Sequence, residues 1–121
     1  MENKIQELNL ELLKTVQFNF CDGKTIAAAL IENRDLWKAV IMDRPHDGNY
    51  VDLIRLRDIS TGRWNVDTLF ILSSNKDDCK LEELAGGWNA DSIEWIEDDK
   101  AENRLGGSDD EHARILQIWW D

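Results

Sequence analysis

The side chains with the clearest capacity for chemistry form an acidic segment near the end of the chain. Two apolar runs, Ile93–Ile96 and Ile115–Trp120, flank this polar segment. Carboxylates at such density repel phosphate groups and attract cations or basic protein surfaces. The acidic side chains of the segment are Glu97, Asp98, Asp99, Glu102, Asp109, Asp110 and Glu111.

Calcium binding is one chemistry open to these carboxylates, because calcium takes six to eight oxygen ligands. A second candidate loop contains Asp43 and Asp47. Neither loop follows the twelve-residue helix-loop-helix pattern, since the third position counted from Asp98 is Lys100 and no glycine falls at the sixth. A solvated acidic surface loop is the competing interpretation. The candidate ligands are Asp98, Asp99, Glu102, Asp109, Asp110, Glu111, Asp43 and Asp47.

Binding of a basic protein is the second chemistry, and it needs aromatic anchors beside the charge. Four tryptophans, Trp88, Trp95, Trp119 and Trp120, lie in the acidic third of the chain. Neighbouring side chains of a strand point to opposite faces of a sheet, so one of Trp119 and Trp120 is expected near solvent unless both faces are covered. We predict a partner-binding surface formed by the seven acidic residues together with Trp119 and Trp120.

Enzymatic chemistry has less support in the sequence. The two histidines, His46 and His112, and the two cysteines, Cys21 and Cys79, lack any metal-ligand spacing. No glycine-rich phosphate-binding motif is present. We therefore predict a protein with no catalytic residues and no cofactor, calcium being the alternative. A dispersed Cys/His pair remains open against the simpler interpretation, in which Cys79 packs in a helix and both histidines lie in surface loops.

Charge is the most informative bulk property of this 121-residue chain, whose formal net charge is −11. Residues 77–111 contain 13 acidic and three basic side chains, a balance of −10. Such a field disfavours direct contact with nucleic acid or an anionic membrane. No apolar run is long enough to span a bilayer, and the start of the chain does not resemble an export signal. We expect a single cytoplasmic domain with reduced thiols.

These features favour a small non-enzymatic binding protein that engages a basic protein partner. Nucleases and other nucleic-acid-binding proteins are candidate partners, because an acidic protein can occupy a basic cleft by imitating phosphate charge. In composition the chain resembles immunity proteins against bacterial toxins, phage-encoded inhibitors and DNA mimics. The resemblance implies an inhibitor or immunity protein, and a calcium-binding regulatory protein is the alternative.

Two kinds of hydrophobic periodicity predict the elements that hold these residues. Apolar residues at helical spacing predict an amphipathic helix over Asn3–Lys14, and Leu81 and Leu84 predict a short helix near residues 77–86, ended by Gly86–Gly87. Alternation of apolar and polar residues predicts strands in the rest of the chain. The predicted strands are Val16–Phe20, Thr25–Ile31 after an Asp22–Gly23 turn, Leu36–Met42, Tyr50–Ile59 hairpinned to Trp64–Leu72, Ser92–Glu97 and Ala113–Trp120.

The element order predicts an α+β, mainly antiparallel β domain with six to seven strands. The first half of the chain, with its helix followed by VQFNFCDGKTIAAALIENRDLWKAVIMD and YVDLIRLRDIS, resembles the start of a small bent barrel of the SH3/Sm-like type. We therefore expect either a twisted sheet or a small barrel. Barrels of this type often bind RNA, a function that the charge of −11 opposes.

Overall fold

A computed structural model describes residues 3–44, 54–107 and 112–121 of the chain. Over these residues the chain alternates helices with short strands, and a 3-10 turn at Arg34–Leu36 precedes the third strand. The helices are α1 (Lys4–Leu13), α2 (Gly23–Glu32), α3 (Ile54–Ile59), α4 (Asp78–Gly86) and α5 (Asp98–Arg104); the strands are β1 (Gln17–Phe18), β2 (Cys21–Asp22), β3 (Trp37–Asp43), β4 (Thr68–Ser73), β5 (Ser92–Ile96) and β6 (Ile115–Trp119).

The main sheet has four strands in the order β3-β4-β6-β5, and each neighbouring pair is antiparallel. Strands β1 and β2 form a separate two-stranded antiparallel sheet. The prediction of a mainly antiparallel α+β fold is therefore confirmed. The barrel alternative is wrong for the described residues, because β3 and β5 are the two edges of an open sheet.

One face of the main sheet, here called the covered face, carries the principal core. Leu69 and Ile71 of β4 and Leu116 and Ile118 of β6 are completely buried there. Each β4 residue pairs with its β6 counterpart, Leu69 with Ile118 and Ile71 with Leu116, so the apolar side chains form continuous rows across the strands. Helices α1, α2 and α4 contribute further residues to this cluster, including Leu13, Ile26, Leu30 and Leu81.

The opposite face, here called the open face, has a smaller core under helix α5. Ala101 of α5 is fully buried against Ile96 and Ile115, which belong to adjacent edge and inner strands. By alternation the same face carries Ile41 and Phe70 further along the sheet. Ile41 is 45% exposed and Phe70 is half-buried. The apolar alternation of the strands thus continues beyond the area that α5 covers.

Helix α1 confirms the predicted amphipathic helix, but its buried side differs from its most apolar side. Asn3 caps the helix by accepting a hydrogen bond from the backbone N–H of Gln6. Leu10 and Leu13 enter the core, whereas Ile5 is 76% exposed. Leu8 and Leu12 are also exposed. The five apolar residues of the helix therefore form two separate surfaces.

The predicted return strand Thr25–Ile31 is wrong, because these residues belong to helix α2. Asp22 does not form a hairpin turn but caps the helix, its carboxylate accepting from the backbone N–H and the hydroxyl of Thr25. Gly23 comes so close to α1 that an added Cβ would lie 2.0 Å from the carbonyl oxygen of Leu13. The glycine is needed for this close approach rather than for a turn.

The predicted hairpin of Tyr50–Ile59 with Trp64–Leu72 is also wrong. Residues 54–59 form helix α3, and the strand that follows begins only at Thr68. Strand β4 is paired with β3 on one side and β6 on the other. Both of its hydrogen-bonding edges are therefore occupied by distant strands, and no edge is left for the segment that immediately precedes it.

The remaining elements lie close to their predicted positions. Strand β3, helix α4 and strands β5 and β6 are confirmed, and Asp77 caps α4 by accepting from the backbone N–H of Lys80. The acidic segment is not simply a loop, since Asp98–Arg104 is helical. Asp47 of the second candidate loop lies outside the described residues. None of the described helices has the length and apolar character required to cross a membrane.

Candidate functional site

Helix α5 presents the part of the acidic segment that the structure describes. Its last carbonyl groups are satisfied by two glycines with positive φ: Gly106 N–H donates to Asn103 and Gly107 N–H donates to Glu102. This double hydrogen bond is a Schellman motif, which ends the helix sharply. On the side of the helix that faces the sheet, Ala101 packs against the sheet and fixes the position of α5. The charged side chains are therefore carried by an anchored element.

The acidic side chains of this region are exposed. Asp98 and Asp99 lie in the first turn of α5, where the partial positive charge of the helix N-terminus favours carboxylates. No ion pair among the described residues includes Asp98, Asp99 or Glu102. Glu94 of β5, which the sequence prediction omitted, is exposed on the same sheet face as Ile96. The acidic surface, as the term is used below, consists of Glu94, Glu97, Asp98, Asp99 and Glu102.

Arg114 holds one member of this surface in place. Its guanidinium donates to the carboxylate of Glu97 at 3.1 Å and to that of Asp78, and lies 4.1 Å from the centre of the Trp95 ring. Burial alone lowers the pKa of Arg114, but the hydrogen bonds that it donates to Asp78 and Glu97 outweigh this effect and raise that pKa. Arg114 thus ties α4, β5 and β6 together and offsets part of the charge of Glu97.

Sequence reasoning missed Arg114, although a signal was present. It is the only Lys or Arg in the last 17 positions, Leu105–Asp121, and it directly precedes an apolar strand. A cation in such a setting is expected to pair with nearby carboxylates. The identity of those carboxylates depends on the pairing of β5 with β6, which the sequence does not specify.

The two predicted tryptophan anchors have different surroundings. Trp120 is only 1% exposed, and its indole N–H donates to the carbonyl of Trp88 at 3.0 Å. It is a core residue and is not accessible to a partner that leaves the fold intact. Trp119 is half-buried, and its indole N–H donates to the carboxylate of Asp67 at 3.4 Å.

The structure does not bring Trp119 beside the acidic helix. Both lie on the open face, but α5 packs near Ile115 at the beginning of β6 and Trp119 is at the end. Four residues of extended strand separate these positions by roughly 13 Å. The predicted surface is therefore divided into two areas of the open face, one at α5 and one at Trp119. Asp109, Asp110 and Glu111, which complete the predicted set, lie outside the described residues.

The candidate calcium ligands do not form a group within the described residues. Over residues 3–44, 54–107 and 112–121 no three His, Cys, Asp or Glu side chains are placed to hold a metal ion. Asp43 instead pairs with Arg55. Asp47, Asp109, Asp110 and Glu111 are outside the described residues. The calcium alternative accordingly has no described cluster to support it.

The cysteines and His112 also occupy contrasting environments. Cys21 is buried, and burial together with the charge of Asp22 raises the pKa of its thiol to about 12. A thiol with that pKa stays protonated at neutral pH and is a poor nucleophile. Cys79 lies in helix α4, as expected, but it is exposed, so the interpretation that it is a packing residue is wrong. His112 is exposed, and His46 lies outside the described residues.

A cleft of about 510 Å³ opens at the Trp119 end of the sheet. One wall comes from residues 15–18, around strand β1, and another from residues 62–67, which lead into β4. The end of β6 supplies the third. Its aromatic and acidic lining includes Phe18, Trp64, Trp119, Asp58 and Asp67. Sequence reasoning identified none of these as a cleft, because the walls come from segments far apart in the chain.

Comparison with known proteins adds no assignment. No protein-family model, no curated protein and no solved structure gives a significant match to this chain. Function is therefore inferred from the geometry and charge of the chain itself.

Proposed function

We propose that this protein binds a basic protein partner through the acidic surface and acts as an inhibitor or immunity protein. The main supporting observation is the set of three exposed carboxylates on α5, Asp98, Asp99 and Glu102, none of which forms an ion pair with a described residue, although Lys100 and Arg104 lie on the same helix. A partner that normally holds nucleic acid has the complementary charge. Occupation of its basic cleft would block that nucleic acid.

Electrostatics and anchoring both support this proposal. Complementary charge accelerates encounter and excludes wrong partners, and its effect decreases as salt screens the field. Because Ala101 and the Schellman motif fix α5, little conformational entropy is lost when its carboxylates bind. Beside α5, partly exposed Phe70 and Ile41 supply apolar area on the same face.

A pair of charge-matched variants tests the proposal. Asp99→Lys/Glu102→Lys reverses two charges on α5, and Glu82→Lys/Glu83→Lys makes the same change in net charge on α4. The α4 control lies across the sheet, because α4 packs in the core of the covered face. All four positions are exposed, so neither double variant removes a core contact.

The experiment uses wild type and both variants as immobilised baits in a lysate of the source cells. We expect a basic protein that wild type and the α4 variant retain and the α5 variant loses. The purified partner should then bind the α5 variant at least tenfold more weakly, about 1.4 kcal/mol. Its affinity for wild type should decrease between 50 and 300 mM salt, and its nucleic-acid binding should be blocked.

Three results would contradict the proposal. They are retention of no basic protein, equal affinity of the partner for the two double variants, and an affinity that does not depend on salt.

Thermal unfolding with calcium and then with chelator tests the calcium alternative, since a ligand of the native state raises the unfolding temperature. A shift at millimolar calcium would favour that alternative over an acidic surface that recognises protein alone.

A further inference from the structure

The cleft at the Trp119 end combines aromatic surface with carboxylate in an arrangement suited to an organic cation. Trp64 and Trp119 both line it, and both are half-buried, so each keeps part of its ring accessible. The faces of indole rings attract cations more strongly than those of other aromatic side chains. Aromatic surface of this kind favours a flat cation over a small hydrated ion.

Asp67 supplies negative charge to the cleft. One of its carboxylate oxygens accepts from the Thr68 hydroxyl at 2.8 Å, and the other from the indole N–H of Trp119 at 3.4 Å. An ionised carboxylate has about four acceptor sites, so both oxygens retain acceptor capacity. No salt bridge among the described residues involves Asp67. Its charge is therefore available to a ligand.

Two more acidic residues, Asp121 and Asp58, line the cleft, and Asp58 is already compensated. Arg57 donates to it at 2.9 Å, and the hydrogen bond from Arg57, with smaller effects of Asn65 and Arg63, lowers the pKa of Asp58. Arg57 and Arg63 thus offset part of the charge of Asp58, whereas neither Asp67 nor Asp121 has an ion pair among the described residues. Arg63 also lines the cleft, so Asp67 and Asp121 supply its uncompensated negative charge, with Asp67 lying beside the Trp119 indole.

We propose that this cleft binds an arginine side chain of the partner, with the guanidinium on Asp67 and its plane against the exposed indole surface. The inference rests on the proposed function, which makes the partner basic. Arginine fits better than lysine because its guanidinium is planar, weakly hydrated and able to donate two parallel hydrogen bonds to one carboxylate.

The same chemistry already occurs once inside this protein. Arg114 lies 4.1 Å from the Trp95 ring centre while its guanidinium donates to Glu97 and Asp78. The cleft has the aromatic and acidic parts of this arrangement in Trp119, Trp64 and Asp67. An arginine from outside would complete it.

The test titrates three tripeptide amides, acetyl-Gly-X-Gly-amide with X as arginine, citrulline or lysine, into nitrogen-15-labelled protein. Citrulline keeps the shape of arginine but lacks its charge. The indole N–H signals of Trp64 and Trp119 are assigned with Trp64→Phe and Trp119→Phe. We expect saturable shifts of these signals with arginine, with a Kd of about 1–10 mM, weaker binding of lysine, and at least tenfold weaker binding of citrulline.

Asp67→Asn tests the carboxylate and should weaken binding of the arginine peptide about tenfold. Glu83→Gln removes the same charge from α4 and should leave that binding within twofold of wild type. The dispersion of the amide spectrum reports whether each variant is folded. If Asp67→Asn does not fold, Trp64→Leu removes an aromatic wall instead, and it should also reduce the affinity.

The proposal is overturned if the arginine peptide gives no saturable shift up to 20 mM, or if citrulline binds equally well. Unchanged affinity in folded Asp67→Asn, or in Trp64→Leu if it is used instead, overturns it too. These outcomes are independent of the proposed function, because the peptides need no partner. The Asp99→Lys/Glu102→Lys variant should still bind the arginine peptide. Peptide binding without partner capture would thus refute the proposed function but support the arginine site in the cleft. Partner capture without peptide binding would refute the arginine site but support the proposed function.

Discussion

The two faces of the main sheet have similar alternating strands but very different cover. On the covered face Leu69, Ile71, Leu116 and Ile118 are all completely buried. On the open face α5 buries Ile96 and Ile115, whereas Ile41 remains 45% exposed. The difference suggests a division of roles, since buried apolar area supplies most of the folding free energy and exposed apolar area beside charge is typical of binding surfaces.

Neighbouring tryptophans at the end of β6 give the sharpest test of that division. Trp120→Ala removes a fully buried ring and its hydrogen bond to Trp88, and we expect a loss of about 3–5 kcal/mol in the free energy of unfolding. Trp119→Ala removes a ring that is only partly buried and should cost less, about 1.5 kcal/mol. Urea unfolding of both variants measures the difference. Similar losses would mean that the two faces contribute equally to stability.

Gln6 provides a second test, at the edge of the sheet beside the covered face. Its amide donates to the carbonyl of Val40 at 2.9 Å and accepts from the N–H of Val40 at 3.0 Å, so it takes the place of a neighbouring strand. Gln6→Leu would leave both backbone groups of Val40 without a partner. We expect a loss of roughly 2–6 kcal/mol, from about 1–3 kcal/mol for each of the two unpaired buried groups.

Urea unfolding measures that loss, and hydrogen exchange at the Val40 amide should become faster in the folded Gln6→Leu protein. Asn9→Ala is the matched control, since the amide of Asn9 donates only to the Ile5 carbonyl of its own helix. Its effect should stay within about 0.5 kcal/mol. If Gln6→Leu matched this control, α1 would not protect the edge strand.

The elements predicted well from sequence are those whose signals are local. The Asp77 cap and the Gly86–Gly87 pair mark α4, and the dense apolar run Ile115–Trp120 marks β6. Helix α2 was missed because Asp22–Gly23 has the composition of a hairpin turn, although here the aspartate is a cap and the glycine permits contact with Leu13. That contact depends on the packing of α1 on α2, which no local pattern encodes.

The candidate site shows the same limit. Sequence located the charge, since nearly all of it lies within residues 77–111. The sequence does not show that Trp119 lies away from α5, because that depends on where α5 packs on the sheet. It also does not show which of Trp119 and Trp120 is buried, because that depends on where β6 ends. Asp67 was missed for a related reason: its partner Trp119 is 52 residues away in the chain.

The two cysteines give the smallest expected change in stability, and they test whether solvent reaches the core of the covered face. Burial and the charge of Asp22 raise the pKa of Cys21 from 9.0 to about 12, so the folded state favours the neutral thiol. Its contribution to stability is therefore fully present below pH 9 and is lost as pH rises from 9 towards 12. In a Cys79→Ala background we expect about 1 kcal/mol less stability at pH 10 than at pH 9 from this group.

Urea unfolding at both pH values measures that loss, and Cys21→Ala in the same background should lack the Cys21 part of it. Groups that titrate in both proteins cancel in the comparison. In native wild type, a thiol reagent at pH 8 should modify exposed Cys79 quickly and buried Cys21 only as the protein unfolds. Equal reaction rates, or equal losses of stability in the two variants, would mean that solvent reaches the core of the covered face. The two faces would then differ in which helices cover them but not in how well their apolar side chains are protected from water.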